Sequence, residues 1–471
     1  MISWSAAEVA AAAGAELVTA ADGGPARAAI DTRALEPGDL FAGLRGEHVD
    51  GGRFAAAALS AGAWGVLVAP EHAEGLSGGA VLVADDPLAA LQRLATAWRR
   101  ALDAAVIGVT GSVGKTSTKQ LIAALLAPHR RVAANPANFN TEIGLPLAVL
   151  AAPEGTEVLV LEMGMRGFGQ IDELARIAEP DVGVITTIGP VHLELVGDLA
   201  GVARAKGELL AHVPVAVVPA GEAALEPYLA GLDVVRFGPA GDVVLEEFTP
   251  PLARIRAREL AVMLEVPFTA RHQLVNLLAA VGAVQAVGVE PSGRVDVSFG
   301  PLRGETIALP SGVLVINDCY NANPLSMRAA LDDLATHEPH GRRVAVLGDM
   351  LELGPSEVAD HRAVGEYAAS HGVDVLVAVG PLSASMAETF GGAAHAVADA
   401  TAAAALTAEL VRPGDVVLVK ASRGVRLEAV AEALAAAASP GAGAPPGASS
   451  PAASPGAGAS SPAGSEASAR G

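Results

Sequence analysis

The chain has 471 residues, 51% of them hydrophobic and 18% charged, the composition of folded globular domains with apolar material for several cores. Its formal charge of -21 argues against a broad nucleic-acid-binding face, because phosphate backbones require a basic surface. A single cysteine, Cys319, excludes an intrachain disulfide and fits a reducing compartment, and no basic leader or strongly apolar membrane-length run is visible. The expectation is a soluble, cytoplasmic monomer with neither nucleic acid nor membrane among its partners.

Residues 1–100 read as a small α/β unit. An amphipathic segment, Ala6–Ala13, precedes turn signals at Pro37-Gly38 and Asp50-Gly51-Gly52. An alanine-rich helical stretch, strands at Trp64–Val68 and Val81–Val83, and a helix from Pro87 to about Arg100 follow. Asp31-Thr32-Arg33 fits either a polar strand end or a binding loop.

The next stretch, Ala105–Gln120 (AVIGVTGSVGKTSTKQ), carries the most chemistry. The apolar run Val106–Val109 predicts a strand, and Lys115-Thr116 opens a helical pattern through Leu121, Ile122 and Leu125. Between them stands T-G-x-x-G-K-T, shorter than the strict Walker pattern, which would place a glycine where Val109 is. Glycines at 111 and 114 let backbone N–H groups wrap a polyphosphate, the helix N-terminus adds partial positive charge, Lys115 adds a full one, and the Thr116 hydroxyl suits Mg²⁺. Thr110, Gly111, Ser112, Val113, Gly114, Lys115, Thr116 and Ser117 are therefore the expected ATP-binding segment.

From here strands and helices alternate as in a parallel, doubly wound sheet. EVLVLEMG ends a strand on Glu162, and DVGVITTIG runs straight into PVHLE, which carries His192. Ligands of such sheets sit at the carboxyl ends of strands, where both residues fall. Either could be structural alone; beside a phosphate loop they resemble outer ligands of metal-bound ATP. A helix over Asp198–Leu210 carries Lys206, open to two readings, a solvated lysine paired to a glutamate or a special amine. The helix His272–Val284 sets His272 and Asn276 one turn apart, and Arg303 falls in a turn before a strand. A hinge is expected near Pro310-Ser311-Gly312. Beyond it VLVINDCYNANP, RRVAVLGDMLELG, VDVLVAVG and DVVLVKASRG repeat the rhythm of apolar strand and polar loop without the G-x-G-x-x-G fingerprint of a nicotinamide site. Residues 439–471, almost only Ser, Pro, Ala and Gly, are expected to be a disordered tail.

Lysine usage sharpens the candidates. Only Lys115, Lys119, Lys206 and Lys420 occur, against 27 arginines. In an arginine-preferring chain a retained lysine points to work that needs a compact or deprotonatable amine.

TGSVGKTS, NFNTEIGLP, LEMGMRGFGQI, HLE, ARAKGE, HQLVN, NDCYNANPLSM, VLGDMLELG and VKASRG together resemble, in order and approximate spacing, the Mur ligases of peptidoglycan synthesis, over about residues 1–435. The resemblance implies three α/β domains: an N-terminal UDP-binding unit (1–100), a central phosphate-loop ATPase (101–310) and a C-terminal Rossmann-like ligase domain (311–438). It implies that ATP phosphorylates the terminal carboxylate of UDP-N-acetylmuramoyl-tripeptide, and that the amine of D-alanyl-D-alanine displaces phosphate. DCYNANP and LGDMLELG point to that acceptor; a sister ligase such as a folylpolyglutamate synthase is the alternative. By the same resemblance Lys115, Glu162, His192 and Lys206 are catalytic, and Thr116, Glu162, His192 and a carbamylated Lys206 hold Mg²⁺. Asn276, Arg303 and Asp318 would contact ATP. Thr32 and Arg33 would meet the UDP end, while Asn138, Thr141, Tyr320, Asn321 and Asn323 line the substrate cleft. Where the family usually shows D-G-H-D-F, this chain has Asp50-Gly51-Gly52-Arg53-Phe54.

Overall fold

In a computed structural model, residues 4–437 are described apart from positions 137 and 339. All of the expected tail, residues 439–471, lies outside them. Three separate sheets carry the chain.

The first sheet runs Glu16–Thr19, Ala80–Val83, Gly65–Val68, Leu40–Ala42, Ala28–Ala29, parallel except for its first strand. Its helix Ala6–Ala13 begins at a Ser5/Glu8 capping box and stops at Gly14 in the left-handed region, the two signals that define a short helix. Helix Pro87–Leu102 starts on an Asp86 cap with proline in its first turn. Its apolar stripe, Leu91, Leu94, Ala95 and Trp98, packs in one continuous core with Leu145, Leu150, Ile171 and Leu174 of the next unit. Trp98 donates its indole N–H to the Ala152 carbonyl (3.3 Å) and meets Trp4 edge-on (5.2 Å between centroids). First and second units are thus welded by apolar burial rather than tethered by a linker.

The central sheet has ten strands. Val132–Ala134, Val158–Glu162, Ala105–Thr110, Val182–Ile185, Val215–Pro219 and Asp233–Phe237 are mutually parallel neighbours in that order. The sheet then continues through an antiparallel meander, Val243–Thr249, Leu252–Ala257, Leu260–Glu265, which an all-parallel expectation does not contain. The meander alternates buried and exposed residues, the period of a one-sided sheet. Helix Arg271–Ala286 lies across it and beside helix Lys115–Leu126.

The third sheet orders Glu305–Ala308, Leu314–Asn317, Val416–Lys420, Arg343–Gly348, Val375–Val379, Ala393–Val397, with only the first strand antiparallel. It has its own cores on both faces. Pro310–Gly312, expected as a hinge, is instead the turn of a hairpin closed by Leu309 and Val313 (2.8 Å). The chain crosses from the central sheet ahead of Glu305. Proline and glycine mark turns and hinges alike, and only strand pairing separates them. Among the described residues no helix is long and apolar enough to cross a membrane.

Candidate active site

The carboxyl ends of the central strands converge on the loop after Thr110. Gly111 has φ 147° and stands where a Cβ would lie 1.9 Å from Thr186 Oγ1, so no other residue fits. Gly114, at φ 86°, caps the helix, and a Cβ there would lie 2.3 Å from Asn276 Oδ1. The loop is further fixed by Ser112 Oγ, which donates to Gly189 O (3.0 Å), and by Val113 N–H, which donates to Thr187 Oγ1 (3.0 Å).

Lys115 reaches back to donate to Gly111 O (2.8 Å). Burial pulls its pKa below the ordinary lysine value, opposed by the charge of Glu162. Glu162 is buried at the end of its strand and fully engaged. It accepts from Thr116 Oγ1 (2.7 Å) and Asn140 Nδ2 (2.8 Å), and Lys119 Nζ stands 3.6 Å away. Lys119 is therefore no solvated helix residue; it is buried and also donates to Asn135 O (2.6 Å). A hydroxyl and a carboxylate side by side are the hard oxygen donors that Mg²⁺ takes together with phosphate oxygens.

Lys206 is 2% exposed, and no ion pair or side-chain hydrogen bond engages its amine among the described residues. Burial drives its pKa well below the ordinary value, and the positive charge of Lys115 adds to the depression. The solvated, glutamate-paired reading of Lys206 is excluded. His192 is near enough to Lys206 to feel its charge, and an imidazole nitrogen beside an amine whose charge is disfavoured is a donor set that a divalent cation could use. His192 sits at φ 53°, its Nδ1 2.9 Å from Glu352 Oε2 of the third sheet's loops. Burial lowers its pKa, Glu352 opposes that, and Lys206 and Lys115 reinforce it.

Opposite the phosphate loop stand the loops of the third sheet. A cleft of about 470 Å³ is lined on one side by Ser112 to Ser117, Asn140, Glu162, His272, Gln273 and Asn276, and on the other by Asp318, Tyr320, Asn321, Asn323 and Lys420. Arg303 joins them, its guanidinium stacked 3.5 Å from the Tyr320 ring centroid. Lys420 is the buried clamp of this wall: Nζ donates to Asp318 Oδ2 (2.6 Å) and to Asn321 O (2.9 Å). His272 lines the same cleft, and burial is the chief cause that lowers its pKa.

Most expected site residues thus meet at one place. Asn138 and Thr141 do not line the cleft; Asn140, between them in the same loop, does. Thr32 and Arg33 lie in the first unit, Arg33 exposed and paired to Asp31 (2.7 Å). At the missing histidine, Gly52 leaves room for the ring of His72, which a Cβ at 52 would strike at 2.2 Å; His72 Nε2 lies 3.0 Å from Asp50 Oδ2. Asn140 and His72 lacked a spacing signal, since each is brought in from another element, whereas Lys119 lies one turn after Lys115 on the same helix.

A phosphate loop at the head of a parallel sheet, facing a second α/β unit across a polar cleft, defines a nucleotide-dependent enzyme of multi-sheet α/β build. Three family models match the chain in sequence. The Mur ligase family, catalytic domain, covers residues 28–98, the Mur ligase middle domain 109–284, and the Mur ligase, glutamate ligase domain, 302–423. A UDP-N-acetylmuramoyl-tripeptide--D-alanyl-D-alanine ligase of Bacillus subtilis (strain 168) is 37% identical over 423 residues, spanning 86% of this chain and 92% of its own. A crystal structure of MurF from Acinetobacter baumannii superposes with a TM-score of 0.83 at 28% identity over 92% of this chain and 99% of that one. The MurF ligase of Thermotoga maritima in complex with ADP gives 0.77 at 28% identity, over 87% and 97%. The chain belongs to the Mur ligase family.

Proposed function

We propose that this chain joins D-alanyl-D-alanine to UDP-N-acetylmuramoyl-tripeptide at the expense of ATP, in the cytoplasm and as a monomer. The observation that carries the reading is the clustering of Lys115, Thr116 and Glu162 opposite Asp318, Asn321 and Asn323 in one cleft. Residues 1–100 would hold the UDP end through Thr32 and Arg33, the unit of the central sheet the ATP, and the unit of the third sheet, which the chain enters ahead of Glu305, would close over both.

The chemical problem is the approach of two anions, a carboxylate and the γ-phosphate. The carboxylate oxygen attacks phosphorus, ADP leaves, and the acyl phosphate carbonyl then takes the dipeptide amine; phosphate departs and the amine loses its proton. Lys115 balances charge on the transferred group while backbone N–H groups from Gly111 to Thr116 orient it. Asn276 and Arg303 fix the nucleotide with Asp318, and Tyr320, Asn321 and Asn323 exclude water from the acyl phosphate. Mg²⁺, held by Thr116 and Glu162 and at a second position by His192 and carbamylated Lys206, would neutralise the phosphate oxygens. Carbamylation adds the neutral Lys206 nitrogen to CO₂ with loss of one proton, turning a potential cation into an anionic oxygen donor, which arginine cannot do.

Phosphate release measured with the tripeptide nucleotide, ATP and a panel of acceptors tests this. Release is expected only when all three substrates are present and D-alanyl-D-alanine is the acceptor. Equal turnover with single amino acids, or none with the dipeptide, would overturn it.

A further inference from the structure

Two non-glycine residues in the left-handed region face each other across the gap between the central and third sheets: His192 at φ 53° and Glu352 at φ 63°. Backbone of this kind is uncommon for such side chains and clusters at sites where the surrounding structure holds it in place. Here the two strained turns aim an imidazole and a carboxylate at one another, with His192 Nδ1 2.9 Å from Glu352 Oε2. The loop carrying Glu352 is seated on the central unit: a Cβ at Gly354 would lie 3.1 Å from Glu194 Cγ, in the helix that follows His192. Glu352 is also the one carboxylate among the residues lining a cavity of about 200 Å³ with Ser112, Lys115, His192, Asn321 and Asn323.

We propose that Glu352 is a positioning residue for His192, supplied by the third-sheet unit, so that the His192 site is complete only when that unit rests on the central one. A carboxylate that accepts from Nδ1–H fixes the ring's tautomer and orientation and leaves the Nε2 lone pair free for a cation or phosphoryl group. With Glu352 half exposed the pair contributes little as an ion pair; what sets it apart is that it recruits two left-handed turns from different units. The seating of one unit on the other thereby becomes coupled to the donor strength of an imidazole in the reaction cleft. The inference takes the role of His192 from the ligase reading, and its test separates the two.

In the full-length, metal-free protein labelled with ¹⁵N-histidine, His192, assigned by its loss in His192→Ala, is expected as the Nδ1–H tautomer. Glu352→Ala should convert it to a mixture, whereas Glu352→Gln, whose amide oxygen still accepts, should preserve it. With ADP and tripeptide nucleotide present, Mn²⁺ titration followed by electron paramagnetic resonance should show the second ion weakened about tenfold or more in Glu352→Ala, and the first unchanged. In the His192→Ala background, Glu352→Ala should add nothing. An unchanged tautomer in Glu352→Ala, or equal effects of the Ala and Gln variants, would overturn the proposal. So would wild-type binding of the second ion by Glu352→Ala. Wild-type protein with the expected tautomer but no turnover with D-alanyl-D-alanine would overturn the ligase reading instead.

Discussion

Replacing Lys206 with methionine should make the metal-free protein more stable and the enzyme inactive. The side chain is 2% exposed and its amine has no partner among the described residues. A buried polar group without a hydrogen bond costs about 1–3 kcal/mol in protein mutational series. Methionine fills nearly the same volume without that penalty, and a domain of this size gains about 2–4 °C in Tm per kcal/mol. An increase of about 2–12 °C in the transition of the unit carrying Lys206 is expected by calorimetry in CO₂-depleted buffer. The sign with pH follows from the depressed pKa. Between its lowered folded value and the ordinary 10.5, the unfolded chain binds more protons than the native one, so wild-type stability rises with pH. The advantage of Lys206→Met is therefore greatest at low pH and narrows as pH approaches 10.5. Bicarbonate should raise the wild-type Tm and leave that of Lys206→Met unmoved, while Lys206→Ala should recover partial turnover with acetate. A variant that melts below wild type, or one that keeps full turnover, would refute the account of Lys206 as an unpaired amine awaiting carbamylation.

Gly114→Ala should weaken ADP binding by at least about tenfold, because left-handed backbone costs an L-residue roughly 1–2 kcal/mol and the new Cβ must also displace Asn276 Oδ1, 2.3 Å away; wild-type affinity by calorimetry would contradict the close approach. Lys420→Met removes the clamp on Asp318 and the Asn321 carbonyl, so the KM for ATP should rise and the third unit should lose about 2–4 kcal/mol, read by urea unfolding. An unchanged KM would show that the Asp318 loop holds its place without it. Lys119→Met should leave Glu162 without its neighbouring cation and free the Asn135 loop, weakening Mg²⁺-dependent ADP binding more than Mg²⁺-independent binding; equal losses in both would count against that role.

Much of the site could be read in the residues alone because its parts are local. The spacing from Thr110 to Thr116 fixes a strand, a loop and a helix start, and that local geometry is enough to aim backbone N–H groups and Lys115 at a phosphate. The strand end at Glu162 follows from an apolar run that stops on a polar residue, whereas His192 lies in the loop beyond Val182–Ile185, at the start of helix Leu193–Val196. The scarcity of lysine singled out four amines, and the structure buries all of them wholly or in part. What the residues could not express is pairing between distant segments. Pro310–Gly312 has the composition of a hinge and is a hairpin turn, a distinction made by hydrogen bonds from Glu305–Ala308 to Leu314–Asn317. Lys119 is buried because the loop at Asn135 covers it. Asn140 rather than Asn138 reaches Glu162 because the chain turns between them, and His72 occupies the space that Gly52 leaves open. Local pattern is set by neighbours in the chain, so sequence alone determined the phosphate loop and the strands and helix around it, but not the antiparallel meander over Val243–Glu265. Which side chains face one another across Glu162, His192 and Asp318 depends on long-range contacts whose geometry only the packed fold decided.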